Sequence, residues 1–196
     1  MKKFKKVLAV FLSTVMAFSM SACNNSEKSA VKDNSVYREL YSEEVTSMNY
    51  LTESGVSSNK ICANVVDCLV EYDQYGNIMP SLAESWEHND DMTEWTFHIR
   101  KGVKWVDKNG SAVADVTAND WVSAAVYVND ARNDSDIQYM YNTGAIVRNA
   151  QQYYDYTAYL LKAEELGVSE GKDAVDADGK IVKAVAPVKT EDIGVK

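Results

Sequence analysis

Alternation of apolar and polar side chains is strongest in residues 95–99, WTFHI. A period of two places side chains on opposite sides of an extended strand, so this run predicts a strand with one apolar side. Residues 89–91, NDD, have the composition of a turn that joins this strand to an earlier extended run. We expect the apolar side to build a core, because each buried aromatic side chain removes roughly 150–250 Å² from water. The residues expected in this core are Trp86, Trp95, Phe97, Ile99 and Trp105.

Two longer stretches have the apolar spacing of amphipathic helices. The first, residues 59–70, carries a stripe that we expect to face a core, and it consists of Ile61, Val65, Cys68 and Leu69. The second, residues 145–166, is followed by Gly167, a typical residue just beyond a helix C-terminus. The apolar positions of this second stretch include Ile146, Ala150, Tyr153, Tyr154, Leu160, Leu161 and Ala163.

A third helix is predicted over residues 118–131. Thr117 can cap it, and Asp120 would lie in its first turn, near the positive end of the helix dipole. Its apolar side consists of Trp121, Ala125 and Val128. Residues 36–41 alternate enough to predict a strand, whereas residues rich in Ser, Thr, Asp and Gly predict loops at 42–58 and 168–180.

The N-terminus has the composition of a secretion signal. Four lysines precede an apolar run at residues 7–20, which is shorter than the ~20 residues that a transmembrane helix needs. Small residues and then Cys23 follow, which resembles the lipobox of bacterial lipoproteins, with Met20 in place of the usual Leu. The resemblance implies cleavage after residue 22 and a diacylglyceryl group on Cys23, and the polar residues 23–34 predict a flexible tether. Ordinary signal cleavage with a free Cys23 thiol is the alternative.

Charge narrows the classes of partner. The chain has 20 basic and 29 acidic residues, and loss of residues 1–22 removes four of the lysines and no acid, which takes the net charge from −9 to −13. Such a surface repels nucleic acid and anionic lipid, so we expect no nucleic-acid partner. Cys62 and Cys68 lie six positions apart on the first predicted helix, a poor geometry for a disulfide, and we expect both to be buried free thiols.

The sequence contains no motif typical of catalysis or cofactor binding. It has no nucleophile elbow, phosphate-binding loop, zinc motif or dinucleotide fingerprint. His88 beside the turn and His98 on the polar side of the strand have no partner residues at the spacing of a triad or metal site. Residues 174–185 depart from a calcium loop at its first and last ligand positions. These absences favour a binding protein without a cofactor over an enzyme.

An ordered series of short motifs lies between residues 69 and 120. Along the chain these are Leu69, the acidic-Gly turn at 73–76, Pro80, LAESW at 82–86, WTFHIRKGVKW at 95–105 and TAND at 117–120. The series resembles the N-terminal signature of solute-binding protein family 5, the oligopeptide- and dipeptide-binding lipoproteins of ABC importers. The terminal EDIGVK resembles the family's return strand. Cys68, where the family usually has a small residue, and a longer turn after Trp105 depart from the pattern, and residues 133–187 match more weakly.

The resemblance implies a mixed α/β fold that forms part of the first lobe of a two-lobed clamshell. It also implies that the chain is an N-terminal fragment, because family members are much longer. We therefore divide the chain into five parts: a lipoprotein signal peptide (1–22), a tether (23–34), the start of lobe I (35–60), a lobe I subdomain with a small sheet and helices (61–188), and the start of a return strand (189–196).

The resemblance further implies an extracytoplasmic receptor, anchored by lipid to the outer face of the cell membrane, that captures oligopeptides for the permease of an ABC importer. Peptide in such a cleft is bound largely through its main chain. By position, the implied ligand-side loop is Glu53, Ser54, Gly55 and Val56, and the implied cleft-edge tyrosine is Tyr139 or Tyr141. Glu53 would suit a ligand's ammonium group, and Gly55 would permit close approach of a ligand backbone.

The sequence leaves alternatives open for the cargo, the role of the protein and the roles of the candidate site residues. The same fold could hold a nickel chelate, haem or a sugar, or the chain could be a surface lipoprotein with a signalling or adhesive role. Glu53 could be a solvated loop carboxylate, and the two tyrosines could serve in core or surface packing.

Overall fold

The fold combines short helices with short strands. A computed structural model describes residue 40 and residues 43–196. Its helices are α1 (Val56–Cys62), α2 (Ala118–Val128) and α3 (Ala150–Glu165). Its strands are β1 (Val70–Tyr72), β2 (Ile78–Pro80), β3 (Ala83–His88), β4 (Trp95–Ile99), β5 (Lys104–Val106), β6 (Ala112–Asp115), β7 (Ala174–Val175) and β8 (Ile181–Val182). The predicted mixed α/β class is confirmed.

Strands pair only with their neighbours along the chain. Within residues 43–196, β1 pairs with β2, β3 with β4, β5 with β6 and β7 with β8, and all four pairs are antiparallel. The predicted small sheet is therefore four separate two-stranded hairpins in the described residues. The region 168–180, predicted to be a loop, contributes strand β7 to the last of them.

Three of the hairpins close through the same five-residue loop, residues 73–77, 107–111 and 176–180. In each loop the Oδ1 atom of the leading aspartate accepts the backbone N–H groups two and four positions later, at 2.8–3.1 Å. The fourth position is glycine at a φ of 79–84°, a left-handed conformation that glycine adopts without steric cost. The D-x-x-G pattern thus specifies these turns locally.

The β3–β4 hairpin has the predicted turn. Trp86 lies opposite Phe97, and Oδ1 of Asn89 accepts the backbone N–H groups of Thr93 and Glu94 at 2.8 and 3.0 Å. The side-chain oxygen of Asn89 thus satisfies two backbone donors of the loop at the end of the hairpin. The prediction of a hairpin around residues 89–91 is confirmed.

The apolar side of that hairpin is open, so the predicted aromatic core is wrong for two of its members. Trp95 is 48% exposed and Phe97 is 36% exposed. Trp86, Ile99 and Trp105 are half-buried. Alternation determines which side chains share a side of a strand, but burial requires a second layer, and residues 43–196 place none over these aromatics.

The helix predicted at residues 59–70 differs from the structure. Helix α1 starts earlier and ends at Cys62, residues 63–65 form a turn, and the chain enters β1 at Val70. Pairing of β1 with β2 satisfies the backbone of residues 70–72 in an extended form, which competes with continuing the helix. The predicted stripe is accordingly not a core, since Ile61 and Val65 are exposed. Cys62 is a buried free thiol as predicted, whereas Cys68 is free but exposed.

Helix α2 begins where the capping residues predict. The backbone N–H of Thr117 donates to Oδ2 of Asp120 at 2.7 Å, which satisfies a donor ahead of the first turn. Ala125 and Val128 are buried on the predicted side, and Trp121 is half-buried. The helix ends at Val128, three residues earlier than predicted.

Helix α3 starts at Ala150 rather than at residue 145. Asn149 has a φ of 59°, which interrupts the helical backbone before that point. Ile146 therefore lies outside the helix and is exposed. Leu161 lies within α3 but is also exposed. The predicted end is confirmed: the N–H of Val168 donates to the carbonyl of Ala163 at 2.8 Å, and Gly167 has a positive φ, as in a Schellman motif.

The main buried cluster joins the two long helices to the last residues of the chain. Ala125 of α2, Tyr153 of α3 and Ile193 form its centre, and the partly buried residues around it are Val126, Tyr141, Val147, Val188 and Val195. The N–H of Gly194 donates to the carbonyl of Arg148 at 2.8 Å. A Cβ on Gly194 would lie 3.0 Å from the Cβ of Arg148, so a larger residue would force this close approach to shift.

The last residues are not in a strand. Thr190–Asp192 form a 3-10 helix, and residues 193–196 have no strand pairing, which differs from the predicted return strand at 189–196. Burial of Ile193 against α2 and α3 holds this segment instead. The predicted strand at 36–41 and the segments at 1–22 and 23–34 lie outside the described residues, apart from residue 40. In the part of the chain that is described, no helix has the length and apolar character to cross a membrane.

Candidate ligand-side loop

The loop before α1 is folded around Asn49. The carbonyl of Asn49 accepts the N–H groups of Thr52 and Glu53, both at 3.0 Å, and its side-chain Oδ1 accepts the N–H of Leu51 at 3.2 Å. A side-chain amide that bonds to the backbone two residues later is the arrangement of an Asx turn. The turn sets the direction in which residues 53–55 run toward α1.

Residues 51–54 cross residues 135–136, and we call this contact the loop crossing. Oγ of Ser135 donates to the carbonyl of Leu51 at 2.6 Å, and the N–H of Asp136 donates to the carbonyl of Thr52 at 3.1 Å. Oγ of Ser54 donates in the other direction, to Oδ2 of Asp136 at 3.0 Å. Three hydrogen bonds thus join two segments that lie more than eighty positions apart in the sequence.

Glu53 lies within the loop crossing, between Thr52 and Ser54, and is half-buried. Within residues 43–196 its carboxylate accepts no hydrogen bond and forms no ion pair. A Cβ built on Gly55 would lie 3.4 Å from Glu53 Oε2, an ordinary contact distance. Gly55 itself has a φ of −59°, which other residues also adopt, so its backbone conformation alone does not require glycine. Val56, the first residue of α1, is exposed.

The two candidate tyrosines have different surroundings. Both lie on a 3-10 helix, Gln138–Tyr141, that begins two residues after Asp136. Tyr139 is exposed. Tyr141 packs against the buried cluster, and this burial raises the pKa of its phenol. The structure therefore brings the segment of Ser54 next to the segment of the tyrosines, and it leaves Tyr139 as the one of the two that is open to solvent.

Polar residues that the sequence analysis did not select lie in and beside the loop crossing. Ser135 and Asp136 make the loop crossing, and Nε2 of Gln138 and Oδ1 of Asn142 are buried without a hydrogen-bond partner. These residues belong to polar stretches without periodicity, and no motif in the sequence distinguishes them from solvated loop residues. Only the tertiary contact with residues 51–54 identifies the first two.

An open depression of about 350 Å³ lies beside α2. Its lining combines apolar and polar side chains, namely Val122, Ser123, Val126, Tyr127, Asp130, Asn133 and Thr190. Burial alone would raise the pKa of Asp130, but hydrogen bonds from the side chain and the N–H of Arg132 outweigh it and hold the pKa below its usual range. The same contact raises the pKa of Arg132. Both carboxylate oxygens of Asp130 are thus engaged by Arg132.

Metal-ligating groups do not cluster in residues 43–196: no three His, Cys, Asp or Glu side chains there are placed to hold an ion. The ring of His88 lies 4.6 Å from that of Trp95, and Nε2 of His98 lies 3.6 Å from a carboxylate oxygen of Glu87. Both histidines thus contact residues of their own hairpin. These neighbours do not form a catalytic arrangement.

Comparison with known proteins identifies the family. The model of the family "Bacterial extracellular solute-binding proteins, family 5 Middle" matches residues 77–190, more than half of the chain. The chain belongs to this family, as the motif series between residues 69 and 120 predicts. Its members are binding proteins that act outside the cytoplasm, and they are not enzymes. Membership and the mixed α/β content agree with the predicted partial lobe of a clamshell.

Individual relatives differ in what they bind. Oligopeptide-binding protein AliB of Streptococcus pneumoniae is 38% identical over 137 residues, which cover 69% of this chain and 20% of AliB. Heme-binding protein A of Haemophilus influenzae is 43% identical over 70 residues, which cover 35% of this chain and 13% of that protein. The crystal structure of Haemophilus influenzae OppA in complex with the peptide RPPGFSPFR matches with a TM-score of 0.47 at 33% identity, over 57% of this chain and 20% of OppA. The chain spans about a fifth of the length of AliB.

Proposed function

We propose that this chain is part of a lipid-anchored, extracytoplasmic solute-binding protein that captures oligopeptides and delivers them to the permease of an ABC importer. The observation that carries the proposal is the similarity to AliB, an oligopeptide-binding protein, over 69% of the chain. Family membership supports a binding protein that acts outside the cytoplasm. Separate experiments test the peptide cargo and the lipid anchor.

The ligand-side loop supports a peptide cargo on physical grounds. A peptide with a free N-terminus carries an ammonium group, and the half-buried Glu53 carboxylate has no partner in the described residues that would compete for it. An ion pair in a partly desolvated cleft is stronger than one in water. We propose Glu53, Ser54, Gly55 and Val56 as residues beside the ligand backbone. We propose Tyr139, which is exposed, for the cleft edge, whereas Tyr141 packs against the buried cluster.

Thermal unfolding of the complete mature gene product with a library of short peptides tests the cargo. A ligand that binds only the folded state stabilises it by ~2.7 kcal/mol at a hundredfold excess over Kd. We therefore expect a clear rise in Tm with at least one class of peptide. Absence of a shift with every peptide in the library would contradict the peptide assignment.

The lipid anchor at Cys23 has its own test. We expect cells grown with radioactive fatty acid to label the wild-type protein and to retain it in the membrane fraction. Cys23→Ser should abolish the label and release the protein, because stable anchoring depends on the acyl chains. Labelling of the Cys23→Ser protein, or its retention in the membrane, would contradict the assignment.

Haem is the second candidate cargo, because heme-binding protein A is 43% identical over 70 residues. A haem titration followed by absorbance distinguishes it from peptide binding. A saturable change in the haem absorption band that short peptides do not displace would favour haem. We expect no such change if the cargo is a peptide.

A further inference from the structure

The loop that closes the β5–β6 hairpin contains Asn109 followed by Gly110, the only Asn-Gly pair in the sequence. We propose that Asn109 is a site of spontaneous deamidation and that the hydrogen bonds of Asp107 set the rate of this modification. The proposal rests on the geometry of the loop, and it does not depend on which ligand the protein binds.

An asparagine that precedes glycine can react with its own backbone. The nitrogen of Gly110 forms a bond to Cγ of Asn109, the bond between Cγ and Nδ2 breaks, and ammonia leaves with the proton of the Gly110 N–H. Water then opens the resulting succinimide ring at either carbonyl, which gives aspartate or isoaspartate. Glycine favours the first step because it has no side chain to hinder the attacking nitrogen. Both residues are exposed, so a base in solution can reach them.

In the folded loop, Asp107 holds both reacting residues. The N–H of Gly110 donates to the carbonyl of Asp107 at 2.9 Å, so its proton is not available to a base. The N–H of Asn109 donates to Oδ1 of Asp107 at 2.8 Å, and its Nδ2 donates to Oδ2 at 3.4 Å. Oδ1 also accepts the N–H of Ser111 at 2.9 Å. Ring closure therefore requires the loop to open locally, and opening breaks these hydrogen bonds.

The other two D-x-x-G loops provide a comparison within the same molecule. Their leading aspartates accept the same backbone N–H groups, and their glycines have the same left-handed conformation. The residue before the glycine is Tyr75 in the first loop and Asp178 in the third. Tyrosine has no carbonyl carbon in its side chain, and an ionised carboxylate resists attack by a nucleophile far more than an amide does. Of the three loops, only the second combines the reactive pair with this geometry.

The modification would weaken the loop that restrains it. A carboxylate at position 109 would replace the amide that donates to Asp107, so repulsion between two negative charges would replace a hydrogen bond. Isoaspartate would also add a methylene group to the main chain, which would displace the N–H of Ser111 from Oδ1 of Asp107. Both products should therefore loosen the closure of the β5–β6 hairpin.

The test follows deamidation by mass spectrometry of peptide fragments while the complete mature gene product stays folded in mildly alkaline buffer. We expect Asn109 to react faster than Asn77 and Asn89, which precede larger residues. Asp107→Ala should raise the rate at Asn109 about fivefold to thirtyfold, the change in local opening that the loss of one or two hydrogen bonds produces. Wild-type protein in urea gives the rate of the open loop, which should be at least as fast as that of Asp107→Ala.

Three variants act as controls. Asp107→Asn keeps the side-chain oxygen that accepts the backbone N–H groups, so it should keep the slow rate of the wild type. Asp176→Ala opens the third loop instead and should leave the rate at Asn109 unchanged. Asn109→Gln should abolish the modification at this position. In wild-type protein that has already reacted, we expect faster hydrogen exchange of the Ser111 amide than in unreacted protein.

Two results would overturn the proposal. Deamidation of Asn109 no faster than that of Asn77 and Asn89 in the folded protein would show that position 109 is not a preferred site. Equal rates at Asn109 in the wild type and in Asp107→Ala would show that the loop does not control the reaction. If Asp107→Ala fails to fold, the folded wild type and the same protein in urea provide the comparison, and equal rates in those two conditions would overturn the proposal.

Discussion

The helical part and the hairpin part of this chain are stabilised in different ways. In the helical part, residues distant in sequence bury one another: Ile193 near the end of the chain is 1% exposed against Ala125 and Tyr153. In the hairpins β1 to β6, each strand pairs only with its neighbour, and Ala83 is the one residue of those strands that is fully covered. Tertiary burial maintains the first part, and local hydrogen bonding maintains the second.

The difference shows that apolar character and burial are separate properties. Trp95 and Phe97 are larger and more apolar than Ala125 or Thr157, yet they are exposed and the latter two are buried. A two-stranded hairpin has two faces and can cover neither by itself. Helices α2 and α3 instead bury Ala125 and Tyr153 in one cluster with Ile193 of the last residues. Four substitutions test this contrast, from the largest expected effect to the smallest.

Ile193→Ala should have the largest effect. It removes a side chain that is almost fully buried at the centre of the cluster, and such a change lowers the free energy of unfolding by about 2–5 kcal/mol. Ile78→Ala is the matched control, because Ile78 in β2 is 52% exposed and its loss should cost at most about 0.5 kcal/mol. Urea denaturation of both variants measures the comparison, and similar losses would show that the two regions do not differ.

Asp130→Ala should have the next largest effect. Asp130 accepts several hydrogen bonds from Arg132 and is buried, and hydrogen bonds to a charged group contribute about 1.5–3 kcal/mol. Asp115→Ala removes the partner of Lys104 in the hairpin part. Because both side chains are exposed there, the free energy of unfolding should fall by only about 0–1 kcal/mol.

The contribution of Asp130 to the free energy of unfolding should also depend on pH. Its folded-state pKa lies below its usual value, so the contribution is present at neutral pH, above the unfolded-state pKa, and is lost as pH falls through the lower, folded pKa. The difference in unfolding free energy between the wild type and Asp130→Ala should therefore shrink in acid. A constant difference between pH 7 and strongly acidic conditions would contradict the assignment.

Asp107→Ala should have a local effect on the β5–β6 turn. Backbone hydrogen bonds from Ser111 and Asn109 lower the pKa of Asp107, so protection of these two amides from hydrogen exchange should be lost as pH falls through the folded pKa. The substitution should remove the protection at every pH, and Asp107→Asn should keep it because the side-chain oxygen remains. The β3–β4 turn is the control: Asn89 does not titrate, so its turn should show no such acid loss of hydrogen bonds.

Trp95→Thr should have the smallest effect on stability, within about 0.5 kcal/mol, because the side chain is 48% exposed. Its fluorescence gives a second measurement. We expect acrylamide to quench the chain's emission, and the most accessible fraction of that emission should disappear in Trp95→Thr. A Trp121→Phe variant should lose less accessible emission, because Trp121 is half-buried. Equal accessibility of the two would contradict the open aromatic side.

Much of the local structure could be predicted. The turn at residues 89–91, the capping of α2 by Thr117 and Asp120, and the glycine at 167 follow from interactions between residues within a few positions of one another. The boundaries of α1 and α3 could not, because the pairing of β1 with β2 and the left-handed Asn149 compete with helical spacing. In the candidate ligand-side loop, Glu53 and Ser54 were selected through the family resemblance, whereas Ser135 and Asp136, which contact this loop, were not.

The sequence by itself determined the family, the mixed α/β class and the local turns, because motif order and short-range hydrogen bonding are properties of neighbouring residues. The tertiary structure decided which apolar residues are buried and which polar residues meet at the candidate ligand-side loop. Burial depends on a covering layer, and the hydrogen bond between Ser54 and Asp136 depends on the path of the eighty residues between them. Neither property can be read from the residues that carry it.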